Sequence, residues 1–382
     1  MIRSFDEKIS VIITGGGTGG HIYPAIAVAN EIKRRNKKNK ILFIGSNGRM
    51  EMDIIPKYNF KIKGLWISGL KRPHFWTNVF FFGIPFLLQN LLLPIKLFSS
   101  IIKSFFIINS FKPDIVIGFG GYASGPTLIA SILNNTTSVI QEQNSFPGMT
   151  NRYLGSKVNS VFVAFENLNK YFTKNLFCYG NPIRSDLLNI KNLKENSYEF
   201  FSLNNKKKTI LILGGSLGAK TMNESVLENL SLIKESDYQI LWQTGKNYFN
   251  EISSQKNTFP SNIRFFSYIS KMNYAYACSD IVISRSGALT ISELCIVGKP
   301  VIFVPSPNVV ADHQTKNAFY LKSINACEIV DDNCAKKELI KTAFEILGNS
   351  EKIQQLKKNI FSLAKPDATK KIVNKLFTLK ND

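Results

Sequence analysis

Two stretches of this chain repeat one local design, and that design decides the class of fold. In the first, an apolar run from Ile9 to Thr14 leads into Gly15-Gly16-Gly17-Thr18-Gly19-Gly20-His21, and a helical pattern follows from Pro24 to about Arg35. In the second, Thr209 to Leu213 leads into Gly214-Gly215-Ser216-Leu217-Gly218-Ala219, with a helical pattern from about Thr221. Strand, glycine-rich turn and helix form the opening unit of a Rossmann-like parallel sheet. Further strands are predicted at Ile41–Ile44, Ile115–Ile117, Ser138–Ile140, Ser160–Ala164, Ile240–Gln243 and Ile281–Ile283. Strands alternating with helical segments predict α/β architecture in both halves. A length of 382 residues fits two domains with separate cores.

A third turn carries more chemistry. The apolar run Ile281–Ile283 is followed by Ser284-Arg285-Ser286-Gly287-Ala288-Leu289-Thr290-Ile291-Ser292-Glu293-Leu294, and then by Gly298-Lys299-Pro300 and a second apolar run, Val301–Val304. The small residues fall where a helix start leaves N–H groups for an anion, and Glu293 falls one to two turns into that helix. Diphosphate on the helix start and ribose on the carboxylate describe a nucleotide-sugar site. An ordinary N-cap followed by an exposed Glu fits the same letters.

The first half offers three polar turns after strands. They are Gly15 to His21, Gly118-Phe119-Gly120-Gly121-Tyr122-Ala123-Ser124-Gly125-Pro126, and Gln141-Glu142-Gln143-Asn144. Open parallel sheets bind ligands at this edge. Gly15, Gly17 and Gly20 satisfy a dinucleotide fingerprint, but the strand that should end in a ribose-binding acid ends in Gly45-Ser46-Asn47. That argues against a nicotinamide enzyme. His21, at a loop-to-helix junction, is placed to donate to phosphate or to accept a hydroxyl proton.

The net charge of +21 draws such a chain toward phosphate-rich partners: nucleic acid, anionic lipid or a diphosphate substrate. A composition rich in Lys, Asn, Ile and Phe, as an AT-rich genome gives, accounts for part of it. Cys178, Cys278, Cys295, Cys327 and Cys334 show no CxxC pair or zinc spacing, as expected of reduced cytosolic thiols. Met1 to Lys8 lacks the apolar core of a signal peptide. From Pro73 to Ile95 there is no Asp, Glu, Lys or Arg, and Lys96 and Lys103 follow. Pro85, Pro94 and Gly83 argue against a spanning helix. An element lying in a membrane interface, with Phe80, Phe81 and Phe82 among its apolar anchors, and a buried part of the first core both remain open.

The ordered set GGGTGGH, GFGGYASGP, QEQN, GNPIR, GGSLGA, WQTG, SRSGALTISE, GKPVIFVP and DHQTKNA resembles the MurG family of N-acetylglucosaminyltransferases, from about Ile9 to Phe377. The resemblance implies a GT-B fold: two Rossmann-like domains facing a cleft. An acceptor- and membrane-binding domain would cover 1–182 and a UDP-sugar domain 183–365. The helix 366–382 would return to the first domain. The implied reaction is inverting transfer of N-acetylglucosamine from UDP-N-acetylglucosamine to the 4-hydroxyl of N-acetylmuramic acid in lipid I, giving lipid II for peptidoglycan synthesis. The implied location is peripheral, on the cytoplasmic face of the plasma membrane, with an anionic membrane surface as partner and no nucleic acid.

Carried over motif by motif, the family pattern puts Thr18, Gly19 and Gly20 at the donor's sugar and diphosphate, Asn144 on the N-acetylglucosamine and Arg184 near the phosphates. Ser216 would cap the diphosphate and the backbone of Ile269 would meet uracil. Ala288, Leu289, Thr290, Ile291, Ser292 and Glu293 would hold the nucleotide, with Glu293 on the ribose, and Gln314 would read sugar hydroxyls. No cofactor and no metal are implied, and the chain contains no Asp-x-Asp motif. The family usually has His where this chain has Gln141, and Gln cannot titrate near neutrality. His21 is therefore the expected base and Glu142 the next candidate. Two rivals are a UDP-N-acetylglucosamine 2-epimerase on the same fold and a non-catalytic protein that binds nucleotide or membrane.

Overall fold

The computed structural model describes residues 8–69, 90–172, 175–307 and 312–381. Pro73 to Gln89 of the apolar stretch, with Phe80, Phe81 and Phe82, lie outside the described residues, as do residues 1–7. The chain divides into two compact units, Met1–Arg184 with Asp367–Asp382, and Ser185–Pro366.

The first unit holds β1 (Ser10–Thr14), β2 (Lys40–Ser46), β3 (Lys61–Leu65), β4 (Ile115–Gly118), β5 (Thr137–Glu142), β6 (Ser160–Val163) and β7 (Leu176–Cys178). They make one sheet in the order β3-β2-β1-β4-β5-β6-β7, every pair parallel. Alternate residues of β1 feed different cores. Val11 and Ile13 join Ile22, Ile26, Ile115 and Ile117 on one face, while Ile12 joins Leu42, Ile44, Val116, Leu128 and Ile140 on the other. A strand apolar on both faces is what a parallel sheet covered by helices requires. The helix Ala368–Asn381 closes the first of these cores with Ile372, Val373 and Leu376.

The second unit holds β8 (Thr209–Leu213), β9 (Gln239–Gln243), β10 (Ile263–Phe266), β11 (Ile281–Ser284), β12 (Val301–Phe303) and β13 (Glu328–Ile329), ordered β10-β9-β8-β11-β12-β13 and parallel throughout. Both units are therefore Rossmann-like. In each, strand order reverses beside the first strand, between β1 and β4 and between β8 and β11. Ligands of open parallel sheets bind outside the strand ends at such a reversal.

Two local expectations change. The segment Lys191 to Lys208, expected as a surface loop, contains a helix over Lys194–Phe200 whose Ser197 and Tyr198 are buried. The helix expected from Pro24 begins at Gly19 and takes Pro24 into its interior, among its buried residues. His21 thus lies in the first turn of that helix rather than in the loop before it.

Candidate functional site

In the first unit, the turn after β1 and the turn after β4 flank the strand reversal and touch backbone to backbone. Gly16 N donates to Gly120 O at 3.2 Å. Gly121 has φ +86, and a Cβ there would sit 2.3 Å from Gly16 O, so this contact admits no side chain. Thr18 caps the helix Gly19–Arg35 with its backbone alone, Thr18 O accepting from His21 N and Ile22 N, and no side chain closes the helix start. Thr18, Gly19, Gly20 and His21 thus share one helix N-terminus, which favours an anion. His21 is half-buried, and its Nδ1 lies 2.9 Å from Gln143 Oε1.

The third turn reassigns Glu142. Its carboxylate is 1% exposed and already fully engaged. Oε1 accepts from Asn144 N at 2.9 Å and Asn144 Nδ2 at 3.2 Å, and Oε2 accepts from Gly148 N at 3.0 Å and Asn151 Nδ2 at 2.8 Å. A group holding four donors in place is a loop organiser, so Glu142 is withdrawn as a proton acceptor. Its effect is to fix Asn144, which is half-buried at the strand edge. Gln141 is fully buried and donates from Nε2 to Asn181 Oδ1 at 3.0 Å. Arg184, half-buried, closes the first unit's main segment just beyond Gly180-Asn181-Pro182.

In the second unit, the turns after β8 and β11 meet the corresponding reversal. Ser216 is exposed in the first of them. The helix Ala288–Val297 starts at Gly287, again without a side-chain cap. Ile291 is 2% exposed and belongs to the core, Ser292 Oγ bonds back to Ala288 O at 3.0 Å, and Leu289 and Thr290 are half-buried. Glu293 is 7% exposed and accepts from the Tyr276 hydroxyl at 3.1 Å. The exposed Glu that an ordinary capped helix would carry is thereby set aside. Gln314 accepts from Ser306 N through Oε1 at 2.9 Å and from Ser286 Oγ through its carbonyl at 2.8 Å, which leaves Nε2 as the atom to offer a hydroxyl. Ile269 donates its N–H to Gln243 Oε1 at 2.8 Å, so only its carbonyl remains for a base.

Three positioning residues escaped the sequence reading. Gln243, in the WQTG motif, joins Ile269 N to Gly215 O, the latter at 3.0 Å from its Nε2. Arg285, inside the β11 turn, donates to Val304 O, Pro305 O and Asp332, and so ties the turn to the segment after β12. Glu51 is fully buried and accepts from Gly17 N at 2.8 Å and Ser46 N at 2.9 Å. An acid a few residues beyond β2, with none at its end, was the available signal. Glu51 binds the backbone of the glycine loop and of the end of β2. Glu51→Ala should lower stability by about 1–3 kcal/mol, because a buried amide is left unpaired. Urea denaturation checks this, and an unchanged midpoint refutes the clasp.

The glycosyltransferase family 28 N-terminal domain profile matches residues 11–163, and the family 28 C-terminal domain profile matches 209–372. A Cytophaga hutchinsonii protein named UDP-N-acetylglucosamine--N-acetylmuramyl-(pentapeptide) pyrophosphoryl-undecaprenol N-acetylglucosamine transferase is 45% identical over 372 residues, 97% of each chain. The crystal structure of Acinetobacter baumannii MurG aligns with TM-score 0.73 and 28% identity, covering 97% of this chain and 99% of that one. A Neisseria meningitidis UDP-GlcNAc 2-epimerase bound to UDP-GlcNAc aligns with TM-score 0.64 at 14% identity, over 97% of this chain and 100% of that one, a likeness of fold alone.

Proposed function

The chain belongs to glycosyltransferase family 28 and, within it, to the MurG N-acetylglucosamine transferases, and from that premise we propose how its residues carry the reaction. The enzyme transfers N-acetylglucosamine from UDP-N-acetylglucosamine to the undecaprenyl-diphosphate-linked N-acetylmuramyl pentapeptide, lipid I, and forms lipid II. The observation that carries the residue assignments is the coincidence, in each unit, of two family motif turns with the strand reversal.

In this reading the 4-hydroxyl of N-acetylmuramic acid attacks the anomeric carbon in one displacement. The bond to UDP breaks and the configuration inverts. His21 takes the hydroxyl proton. Positioning and neutralisation of the leaving diphosphate supply the rest of the rate. Thr18, Gly19 and Gly20 serve the sugar diphosphate, Asn144 the acetamido sugar, and Arg184, Ser216 and the helix start at Ala288 the phosphates. The uncapped helix starts and the guanidinium suit that charge. Glu293 takes the ribose hydroxyls, the Ile269 carbonyl the uracil and Gln314 Nε2 the sugar. Turnover of UDP-N-acetylglucosamine with a lipid I analogue tests the assignment. Formation without acceptor of the C2 epimer, as UDP-N-acetylmannosamine or, where water cleaves it, as free N-acetylmannosamine and UDP, would mark an epimerase instead.

We assign a peripheral membrane contact to the helix Leu93–Phe111. It is long and apolar enough, by length and composition, to cross a bilayer. Its inward face sets Ile101, Phe105, Ile107 and Ile108 against the first unit's core beside the buried Ser100 and Ser104, while Ile95, Phe98, Ile102 and Phe106, spaced three and four apart, are exposed. The outward face, which is polar on a helix that meets water, is thus apolar as well. Polar bonds hold it to its own unit, Ser100 Oγ to Trp66 O at 3.1 Å and Lys103 Nζ to Gly64 O at 2.8 Å. An apolar stripe with lysines on a packed helix suits an anionic interface better than a span. Combined Phe98→Ser and Phe106→Ser should release the protein from anionic vesicles in a flotation assay, and high salt should weaken wild-type binding. Retention of the wild type through both salt and alkaline extraction would establish a span instead.

A further inference from the structure

We propose that Gln143 is a positioning residue for the transfer: its carboxamide holds His21 as the Nδ1–H tautomer and leaves Nε2 as the proton-accepting nitrogen. The inference rests on the reading of His21 as the base and names the atom that does the work.

The argument begins from which end of the carboxamide is nitrogen. One terminal atom of Gln143 is surrounded by three oxygens: Phe119 O at 2.9 Å, Gln141 O at 3.1 Å and Gln141 Oε1. Two of these are backbone carbonyls that can only accept; an NH₂ group has two hydrogens to give them, whereas an oxygen there would face acceptors alone, so that atom is Nε2 and the other is Oε1. Oε1 lies 2.9 Å from His21 Nδ1. An oxygen that only accepts requires a hydrogen on the nitrogen opposite. A neutral imidazole carries one such hydrogen, so Nε2 keeps the lone pair.

The neighbours fix this orientation in turn. Gln141 Nε2 donates to Asn181 Oδ1 at 3.0 Å, and Asn181 Nδ2 donates to Gln143 O at 3.1 Å. All three carboxamides are at most 2% exposed, and each one's flip state is set by the next. Gln141, at the position where the family pattern has His, gives Gln143 an acceptor and Asn181 a donor and holds no titratable proton. From the other side Gly120 leaves room for the ring. Its φ is +93, and a Cβ there would lie 2.9 Å from His21 Cε1. A ring held this way offers one defined nitrogen to a substrate, the task an orienting group performs for any histidine base.

The test uses full-length protein with ¹⁵N-labelled histidine and long-range ¹H–¹⁵N spectra of the imidazole rings. Only three histidines, His21, His74 and His313, need to be separated, and the loss of signals in His21→Ala assigns the first. The expected wild-type pattern has a pyrrole-type Nδ1 and a pyridine-type Nε2. Gln143→Met, similar in length and without an acceptor, should abolish that pattern and lower kcat by roughly 10–10²-fold with little change in the acceptor KM. An Nε2–H pattern in the wild type, or an unchanged pattern in Gln143→Met, overturns the inference, and the wild-type spectrum decides even where a variant does not fold. Full turnover in His21→Ala overturns the base reading instead, whatever the spectra show.

Discussion

Replacing His21 with alanine should lower kcat by about 10²–10⁴-fold, the range a positioned general base contributes. The ring stands in the first turn of the helix Gly19–Arg35, and Gln143 holds it at 2.9 Å. Removal of Glu142 from the candidates sharpens the prediction. That carboxylate spends both oxygens on Asn144, Gly148 and Asn151, so no second acid in these turns stands ready to substitute. The competing role for His21 is a hydrogen bond to the acceptor's diphosphate. Steady-state kinetics with a lipid I analogue separate the two. A base shows its loss in kcat, whereas a binding residue raises the acceptor KM and leaves turnover nearly intact. Normal values for both constants remove His21 from the mechanism.

The elements that could be read from the chain are those whose local pattern and tertiary fate agree. Thr209–Leu213 is apolar at every position but its first, lies between two layers of helices, and forms β8 over those same residues. Edge strands lack that signal. Lys61–Leu65 carries two lysines and a glycine, and it becomes a strand because Leu42 to Ser46 offer it a parallel partner. The helix Lys194–Phe200 stayed hidden because its polar letters, Lys194, Glu195, Asn196 and Glu199, hide the buried pair Ser197 and Tyr198. At the site, turns announce themselves by glycine, so the four motif turns were legible. The side chains that brace them were not. Glu51, Gln243 and Arg285 act through a few hydrogen bonds each, mostly to backbone atoms distant in sequence, and no period or spacing marks such contacts. Glu142 misled for the same reason. An acid in a polar turn looks reactive until its acceptors are found to be occupied.

Glu293→Ala should weaken donor binding by about 1.5–3 kcal/mol, the worth of a charge-assisted hydrogen bond lost from a shielded site, which is roughly 10–150-fold in the donor Kd. The carboxylate is 7% exposed, on the helix Ala288–Val297, and Tyr276 OH donates to its Oε2 at 3.1 Å. That bond restrains the carboxylate before any ribose arrives, so less ordering remains to be done on binding. The same bond adds a structural effect of about 1 kcal/mol, because alanine also takes away one acceptor of the Tyr276 hydroxyl. Calorimetric titration with UDP, run well below the variant's own melting temperature, keeps the two effects apart. Tyr276→Phe provides the control: it loses the restraint but keeps the carboxylate, and its donor affinity should fall by less than that of Glu293→Ala. Ribose contacts are the same in ground and transition state, so the loss in Glu293→Ala should appear in the donor KM with kcat largely preserved. An unchanged UDP affinity in folded Glu293→Ala would mean that the ribose hydroxyls are held elsewhere, and that the buried Glu293 serves only to fasten the helix Met272–Cys278 to its neighbour.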